Sequence, residues 1–245
     1  RGLGDVYKRQ ILYQDMKKTD FTIGLGRRLA LLGCMFVVCF VLTAACSYLL
    51  GRLLPERQEA ALRLSAIVQD LLCFIVPALL TALLSSRRPA ELLGVTARPG
   101  IASILLVGAL LLFSIPVQEA IIYWNYNIQL PDSMHAFEVS ARHMEDAAFA
   151  TLQTMLANTS VFALIVNILI IGVAAGFSEE LFFRGCFQRL LTTGGVNAHL
   201  AVWTVAFCFS AMHFQLFGFV PRLLLGAYFG YLMLWTRCLW VPVTA

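Results

Sequence analysis

Charged residues are scarce in this sequence. Asp, Glu, Lys and Arg make up 13% of its 245 residues, whereas 60% of the residues are hydrophobic. A soluble globular domain carries about 25% charged residues. The shortage excludes an ordinary soluble domain, and the long apolar runs predict an all-α integral membrane protein surrounded by the lipid bilayer.

Two other patterns are missing. None of the seven cysteines forms a CxxC pair, so the sequence predicts neither a zinc knuckle nor a disulfide framework. The net charge is +4, but Lys and Arg lie in short segments between apolar runs rather than along one basic face. We therefore expect no nucleic-acid partner.

The two ends of the sequence carry a separate signal. Residues 5–10 read DVYKRQ, which a common sequencing adaptor encodes when it is translated in frame. We expect residues 1–10 to be a sequencing artefact and the native reading frame to enter near Ile11. The last apolar run, 238–245, is eight residues long, whereas a spanning helix needs about 20. We therefore expect the chain to be truncated within a helix.

Apolar segments long enough to cross a membrane recur along the chain. They predict a bundle of six complete transmembrane helices plus a truncated seventh, which implies seven or eight helices in the native protein. The six segments cover roughly 29–50, 64–84, 101–123, 161–178, 199–217 and 219–236. The predicted organisation is a cytoplasmic tail over 1–28, N-terminal helices with an extracytoplasmic loop over 29–160, and a C-terminal core over 161–245.

Basic residues indicate the orientation. If the N-terminus is cytoplasmic, the inner segments hold about twice as many Lys and Arg residues as the outer segments. The positive-inside rule therefore predicts a multi-pass protein of the inner (cytoplasmic) membrane with a cytoplasmic N-terminus. This topology puts Glu179, Glu180 and Arg184 at the cytoplasmic end of the fourth helix.

The longest connection, about 125–160, is the least apolar part of the chain. Phe137, Ala141, Met144 and Ala148 recur there at helical spacing, which predicts an amphipathic helix along the outer membrane surface. A linker is the simpler interpretation of this helix, and gating of a substrate is the alternative.

An acidic pair and an arginine follow the apolar run of the fourth segment. Each ionisable side chain near bilayer depth costs about 2.5–3.5 kcal/mol on insertion scales. Glu180 and Arg184 are four residues apart and share a helix face, so they can pair. Glu179 projects about 100° away and is free to act as a general base. A structural charge cluster at the membrane interface is the alternative interpretation.

A histidine occurs in the next apolar segment. His213 lies among aromatic and small residues, where a lone histidine often serves packing alone. The connection between the two segments, 185–198, is short, so the helices are expected to be antiparallel neighbours. The carboxylates and His213 can then face one cavity.

These residues form two recognisable motifs. Glu179-Glu180-x-x-x-Arg184 followed by Phe209-x-x-x-His213 resembles the first two motifs of the CAAX-processing and bacteriocin-immunity family of intramembrane metalloproteases, which includes the type II CAAX prenyl proteases. The later segments 219–222 and 239–242, with Gly226 and Gly230, are similar to the helices that follow in that family. The resemblance is specific over about 170–245.

The resemblance implies a role for each motif residue. Glu179 and His213 would activate the attacking water, and Glu180 and Arg184 would organise the site. The implied activity is cleavage of a peptide bond in a membrane-associated protein or peptide. The family's name implies a zinc ion, whose ligands here would be Glu179 and His213. These are too few for a typical catalytic site with three protein ligands.

One motif of the family is not matched. A His followed four residues later by Asn or Asp normally comes after a Trp-Val-Pro-like run, and the sequence stops there. Those residues are thought to stabilise the oxyanion, which is often worth about 3–4 kcal/mol per donor. We therefore expect the chain as written to be impaired. We also expect the protein to be bacterial. Prenylated CAAX substrates are not expected in bacteria.

Two other functions fit the same residues. A non-catalytic immunity or scaffold protein could bind a peptide in the same cavity without cleaving it. A proton-coupled transporter could use Glu179 and Glu180 as a relay, but it would need polar residues through the full membrane depth.

Overall fold

Residues 21–245, which a computed structural model describes, form helices and no β-strand. The predicted adaptor segment 1–10 and most of the predicted tail lie outside these residues. The helices are α1 Leu25–Leu53, α2 Gln58–Ser85, α3 Pro89–Leu93, α4 Ile101–Tyr126, α5 His135–Leu156, α6 Val161–Thr193, α7 Ala198–Ala211, α8 Phe219–Thr236 and α9 Trp240–Val243.

Five of these helices are long and apolar enough to cross a membrane. They are α1, α2, α4, α6 and the span Leu216–Thr236, which includes α8. The all-helical membrane bundle is therefore confirmed. The fifth predicted span, 199–217, is shorter than expected because α7 ends at Ala211 after 14 residues. At about 1.5 Å per residue, α7 reaches about 21 Å, so six complete spans and a seventh remain a prediction.

The fourth span corrects the sequence analysis. The apolar run ends near residue 178, but α6 continues to Thr193. Glu179, Glu180 and Arg184 therefore lie in the interior of a membrane helix and not at its end. The helix can continue because Glu180 and Arg184 are buried in the protein and paired with each other. It ends at Gly194-Gly195, where Gly195 adopts a φ of +93° that few other residues tolerate.

Widened π-helical turns interrupt both helices that carry acidic residues inside the bundle. In α2 the widened turn covers Asp70–Ile75 and directly precedes Pro77. Proline has no N–H for the helical ladder, and a widened turn accommodates its ring. In α6 the segments Ile168–Ala174 and Leu181–Gln188 flank the turn with Glu179 and Glu180. Such turns are frequent at functional sites.

Helices α7 and α8 pack closely because α8 carries two glycines. A Cβ atom at Gly226 would lie 3.3 Å from the Cα atom of Ala206, and one at Gly230 would lie 2.9 Å from Val202 Cγ1. This is the close helix packing typical of a Gly-x-x-x-Gly motif in membrane helices.

We expect Gly226→Ala to lower stability by about 1–3 kcal/mol, because the added methyl group overlaps the α7 backbone and cannot be relieved by a rotamer change. Thermal unfolding in detergent micelles measures the effect. Gly108→Ala in α4 is the matched control, since a Cβ atom there meets nothing within 4 Å. Equal melting temperatures for the two variants would contradict this packing role.

Candidate active site

The predicted pair of Glu180 and Arg184 is present and buried. Glu180 Oε1 lies 2.7 Å from Arg184 Nη1, and the arginine side chain is fully shielded from solvent. The guanidinium also lies 4.8 Å from the centre of the Phe209 ring. Both charges are therefore inside the protein and shielded from solvent.

Arg184 and Gln188 also connect α6 to α8. Arg184 Nη2 donates a hydrogen bond to the carbonyl oxygen of Gly226 at 3.0 Å. One turn further on, Gln188 Nε2 donates to the carbonyl oxygen of Gly230 at 2.8 Å. At Gly230 the missing side chain leaves room for this contact, because a Cβ atom there would lie 3.0 Å from Gln188 Oε1. Gln188 was not singled out in the sequence analysis, although it repeats the four-residue spacing of Glu180 and Arg184.

Glu179 faces a different environment from Glu180. It is half-buried and lines a cavity of about 470 Å³, and His213 lines the same cavity. Glu179 precedes the end of α6 by 14 residues, and His213 follows the start of α7 by 15 residues. The two side chains are therefore separated from the connection between α6 and α7 by similar numbers of residues, and both border the same cavity.

The walls of this cavity are mostly aromatic and apolar, with several small polar groups. Phenylalanines and other apolar side chains come from α1, α2, α6 and the segment after α7, and Gln69 and Gln215 supply amides. The lining residues other than Glu179 and His213 are Phe36, Phe40, Thr43, Ala44, Ser47, Gln69, Cys73, Phe74, Ala148, Phe183, Met212, Phe214 and Gln215. A large apolar side chain and a polar backbone can both find partners there.

The orientation of the His213 ring is fixed by a hydrogen bond to the last turn of α7. Nδ1 lies 2.8 Å from the carbonyl oxygen of Phe209. A carbonyl oxygen can only accept, so Nδ1 must carry the proton and donate it. In the neutral imidazole, Nε2 then has a free lone pair. The Phe209 ring, which contacts Arg184 on one side, packs edge-on against His213 at 5.0 Å.

The segment that follows α7 is held in place by residues of α4 and α5. Buried Asn125 of α4 donates to Leu216 O and accepts from Val220 N, and Glu145 of α5 accepts from Phe217 N. These contacts fix the segment in which Phe214 adopts a φ of +53°, an uncommon conformation for an aromatic residue. The long loop thus helps to position the segment that carries His213.

Helix α5 confirms the helical part of the predicted loop. Ala141 is buried and Ala148 lines the cavity, while Phe137 and Met144 are exposed. The Arg142 guanidinium donates to Glu138 and holds the pKa of that carboxyl below its usual range. The helix is therefore more than a linker, because one of its side chains forms part of the cavity wall.

Comparison with known families supports the two motifs. Residues 161–245 match the family model described as Type II CAAX prenyl endopeptidase Rce1-like. This segment is similar to the Rce1-like endopeptidases. The family resemblance is therefore confirmed over α6 to α9, about a third of the chain. No curated protein and no solved structure matches the chain.

The Rce1-like segment does not supply a typical zinc site. Glu179 and His213 line one cavity, and the free Nε2 of His213 suits a metal ligand. Across residues 21–245, however, no group of three His, Cys, Asp or Glu side chains is arranged to hold a metal ion. A typical catalytic zinc has three protein ligands.

One acidic residue at the site lies outside the Rce1-like segment and was missed. Asp70 of α2 is 7% exposed and accepts a hydrogen bond from Ser178 Oγ at 3.0 Å. The signal was present, since an aspartate inside the apolar segment 64–84 carries the same insertion cost as the glutamates. Sequence alone could not show that this aspartate meets α6 beside Glu179.

We expect Glu180→Leu or Arg184→Met alone to lower stability by about 3–5 kcal/mol, because each change leaves an unpaired charge inside the protein. The double variant Glu180→Leu with Arg184→Met should be more stable than either single variant. Unfolding by sodium dodecyl sulfate in mixed micelles measures all three. Glu91→Gln is the control, because its ion pair with Arg88 is exposed and should contribute less than about 1 kcal/mol. Additive losses in the double variant would contradict the ion-pair account.

Proposed function

We propose that this protein is an intramembrane endopeptidase in which Glu179 and His213 activate a water molecule. The observation that carries the proposal is that both side chains line one cavity inside a membrane bundle. The family match over 161–245 supports the same class of enzyme. Among residues 21–245 neither side chain has an ion-pair partner, so both can contact water.

The two groups suit the orientation of one water molecule. Glu179 accepts a hydrogen bond from one O–H of the water. His213 Nε2, whose lone pair is free, accepts a hydrogen bond from the other O–H. The water lone pair then points away from both groups, toward a peptide carbonyl held in the cavity. Two acceptors at fixed positions supply orientation as well as basicity.

Cleavage then proceeds in two proton-transfer steps. Glu179 takes a proton from the water as the oxygen attacks the carbonyl carbon. It gives the proton to the amide nitrogen as the C–N bond breaks, which leaves a carboxylic acid and an amine. Glu180 and Arg184 take no part in these transfers. Their ion pair and the Arg184 contact with Gly226 hold α6 in the rotation that presents Glu179 to the cavity.

The cavity suggests the substrate class. Its phenylalanine walls suit a large apolar group, and the amides of Gln69 and Gln215 suit the polar backbone of an extended peptide. We propose that the substrate is a membrane-associated polypeptide cleaved near a bulky apolar residue or a lipid-modified cysteine. We also propose that the enzyme resides in the bacterial inner membrane with its N-terminus in the cytoplasm.

Glu179→Gln should abolish turnover, a loss of at least about 100-fold in kcat, because the amide cannot take a proton from water. The assay uses the full-length protein in proteoliposomes and follows two quenched-fluorescence peptides: one ends in a farnesylated CAAX sequence, and the other is an unmodified transmembrane segment. Glu119→Gln is the matched control, since Glu119 is an exposed carboxyl in a membrane helix that does not line the cavity.

Two outcomes of this assay would overturn the proposal. One is unchanged turnover in Glu179→Gln. The other is tight binding of both peptides without cleavage by the unmutated protein, which is the result expected of a non-catalytic immunity or scaffold protein.

His213→Phe should lower kcat by about 10- to 1,000-fold and change KM little, because the water loses its second acceptor while the cavity walls remain. His143→Phe is the matched control, since His143 is exposed on α5 and does not line the cavity. A rise in KM with unchanged kcat would assign His213 to substrate binding instead.

A further inference from the structure

Asp70 is an anomaly in the second membrane helix. It lies in an otherwise apolar run of α2, at the first residue of the widened turn Asp70–Ile75. Within residues 21–245 its Oδ2 atom is buried and has no hydrogen-bond partner. An acidic residue inside a membrane helix is a functional candidate by default, and its partner identifies what it serves.

The partner of Asp70 lies next to the proposed catalytic glutamate. Ser178 Oγ lies 3.0 Å from Asp70 Oδ1, and Ser178 is completely buried. The same hydroxyl lies 3.0 Å from the carbonyl oxygen of Ala175, one turn back on α6. A hydroxyl has one proton to donate, and a carboxylate is the stronger acceptor. The bond to Asp70 therefore draws Ser178 toward α2.

The residues that flank Asp70 belong to the cavity wall. Gln69 precedes it and Cys73 follows it by three positions, and both line the cavity together with Glu179. Cys73 in turn donates to Thr43 of α1, another lining residue, at 3.2 Å. The contact between Asp70 and Ser178 thus joins two walls of the cavity at the residue before Glu179.

We propose that Asp70 is a positioning residue: through the hydroxyl of Ser178 it fixes the rotation of α6 that directs Glu179 into the cavity. This inference rests on the endopeptidase function proposed above. Asp70 does not itself contact the attacking water. Its effect is to keep Glu179 in one orientation, so its loss should impair the chemical step while the substrate still binds.

The test is a double-mutant cycle on kcat with the same two peptides. Asp70→Ala and Ser178→Ala should each lower kcat about 10- to 100-fold with KM nearly unchanged. The double variant should fall no further than Asp70→Ala alone, because both changes remove one interaction. Asp70→Asn should recover most of the activity, since its amide oxygen can accept the Ser178 hydrogen bond.

A matched control distinguishes positioning of Glu179 from stabilisation of helix packing alone. Asn167 of α6 is buried and accepts a hydrogen bond from Arg63 of α2 at 2.9 Å, so it joins the same two helices away from the cavity. Asn167→Ala should lower the melting temperature and leave kcat unchanged. If Asp70→Ala also lowers the melting temperature and leaves kcat unchanged, Asp70 only holds the helices together and the inference is overturned. It is also overturned if Asp70→Asn is as slow as Asp70→Ala.

A second readout does not depend on turnover. Dicyclohexylcarbodiimide modifies carboxyl groups in membranes, and mass spectrometry of the peptide fragments gives the labelling rate of Glu179. Asp70→Ala and Ser178→Ala should slow this labelling several-fold, and Asn167→Ala should not. Unchanged labelling in all three variants contradicts positioning. Retained turnover in Glu179→Gln would instead refute the proposed function, so the two failures can be told apart.

Discussion

The buried ion pair between Glu180 and Arg184 is the interaction on which the rest of the site depends. Neither charge could remain inside an apolar bundle without the other, because desolvation would exceed any contact that an apolar neighbour can make. Once paired, they allow α6 to continue as one helix through a region where charges would otherwise end it. Arg184 then uses a second nitrogen to donate a hydrogen bond to Gly226 O and so connects α6 to α8. The glycine itself lets α8 pack on α7, because a Cβ atom there would lie 3.3 Å from Ala206 Cα. The buried pair therefore keeps α6 continuous, and its arginine links α6 to α8.

This arrangement separates two adjacent glutamates that have the same chemistry in solution. Glu180 faces the arginine and is nearly fully buried, whereas Glu179 is one helical step away and borders the cavity. A rotation of about 100° per residue is enough to give one carboxylate a fixed partner and the other an open space. The chemistry that we propose for Glu179 needs this separation, since a carboxylate already bound to an arginine is a poor acceptor for a water proton.

The part of the cavity wall that carries His213 depends on segments that lie far away in the sequence. His213 follows the end of a short helix, and the segment around it is held by Asn125 of α4 and Glu145 of α5. Asp70 of α2 contacts Ser178 from another direction. Parts of the chain that precede the Rce1-like segment thus position residues within it, and the C-terminal helices alone would not hold the site in the same way.

The sequence by itself determined what depends on composition and local spacing. The apolar runs predicted the membrane bundle, the four-residue interval predicted the pair of Glu180 and Arg184, and the two motifs predicted the family. It could not predict where α6 ends, because that depends on whether charges after residue 178 are buried. Nor could it predict that α7 ends before its apolar run does. Only the tertiary structure decided that Asp70 meets Ser178 and that α5 contributes to the cavity, since these contacts join segments separated by many residues. Local periodicity carries no information about which helices become neighbours.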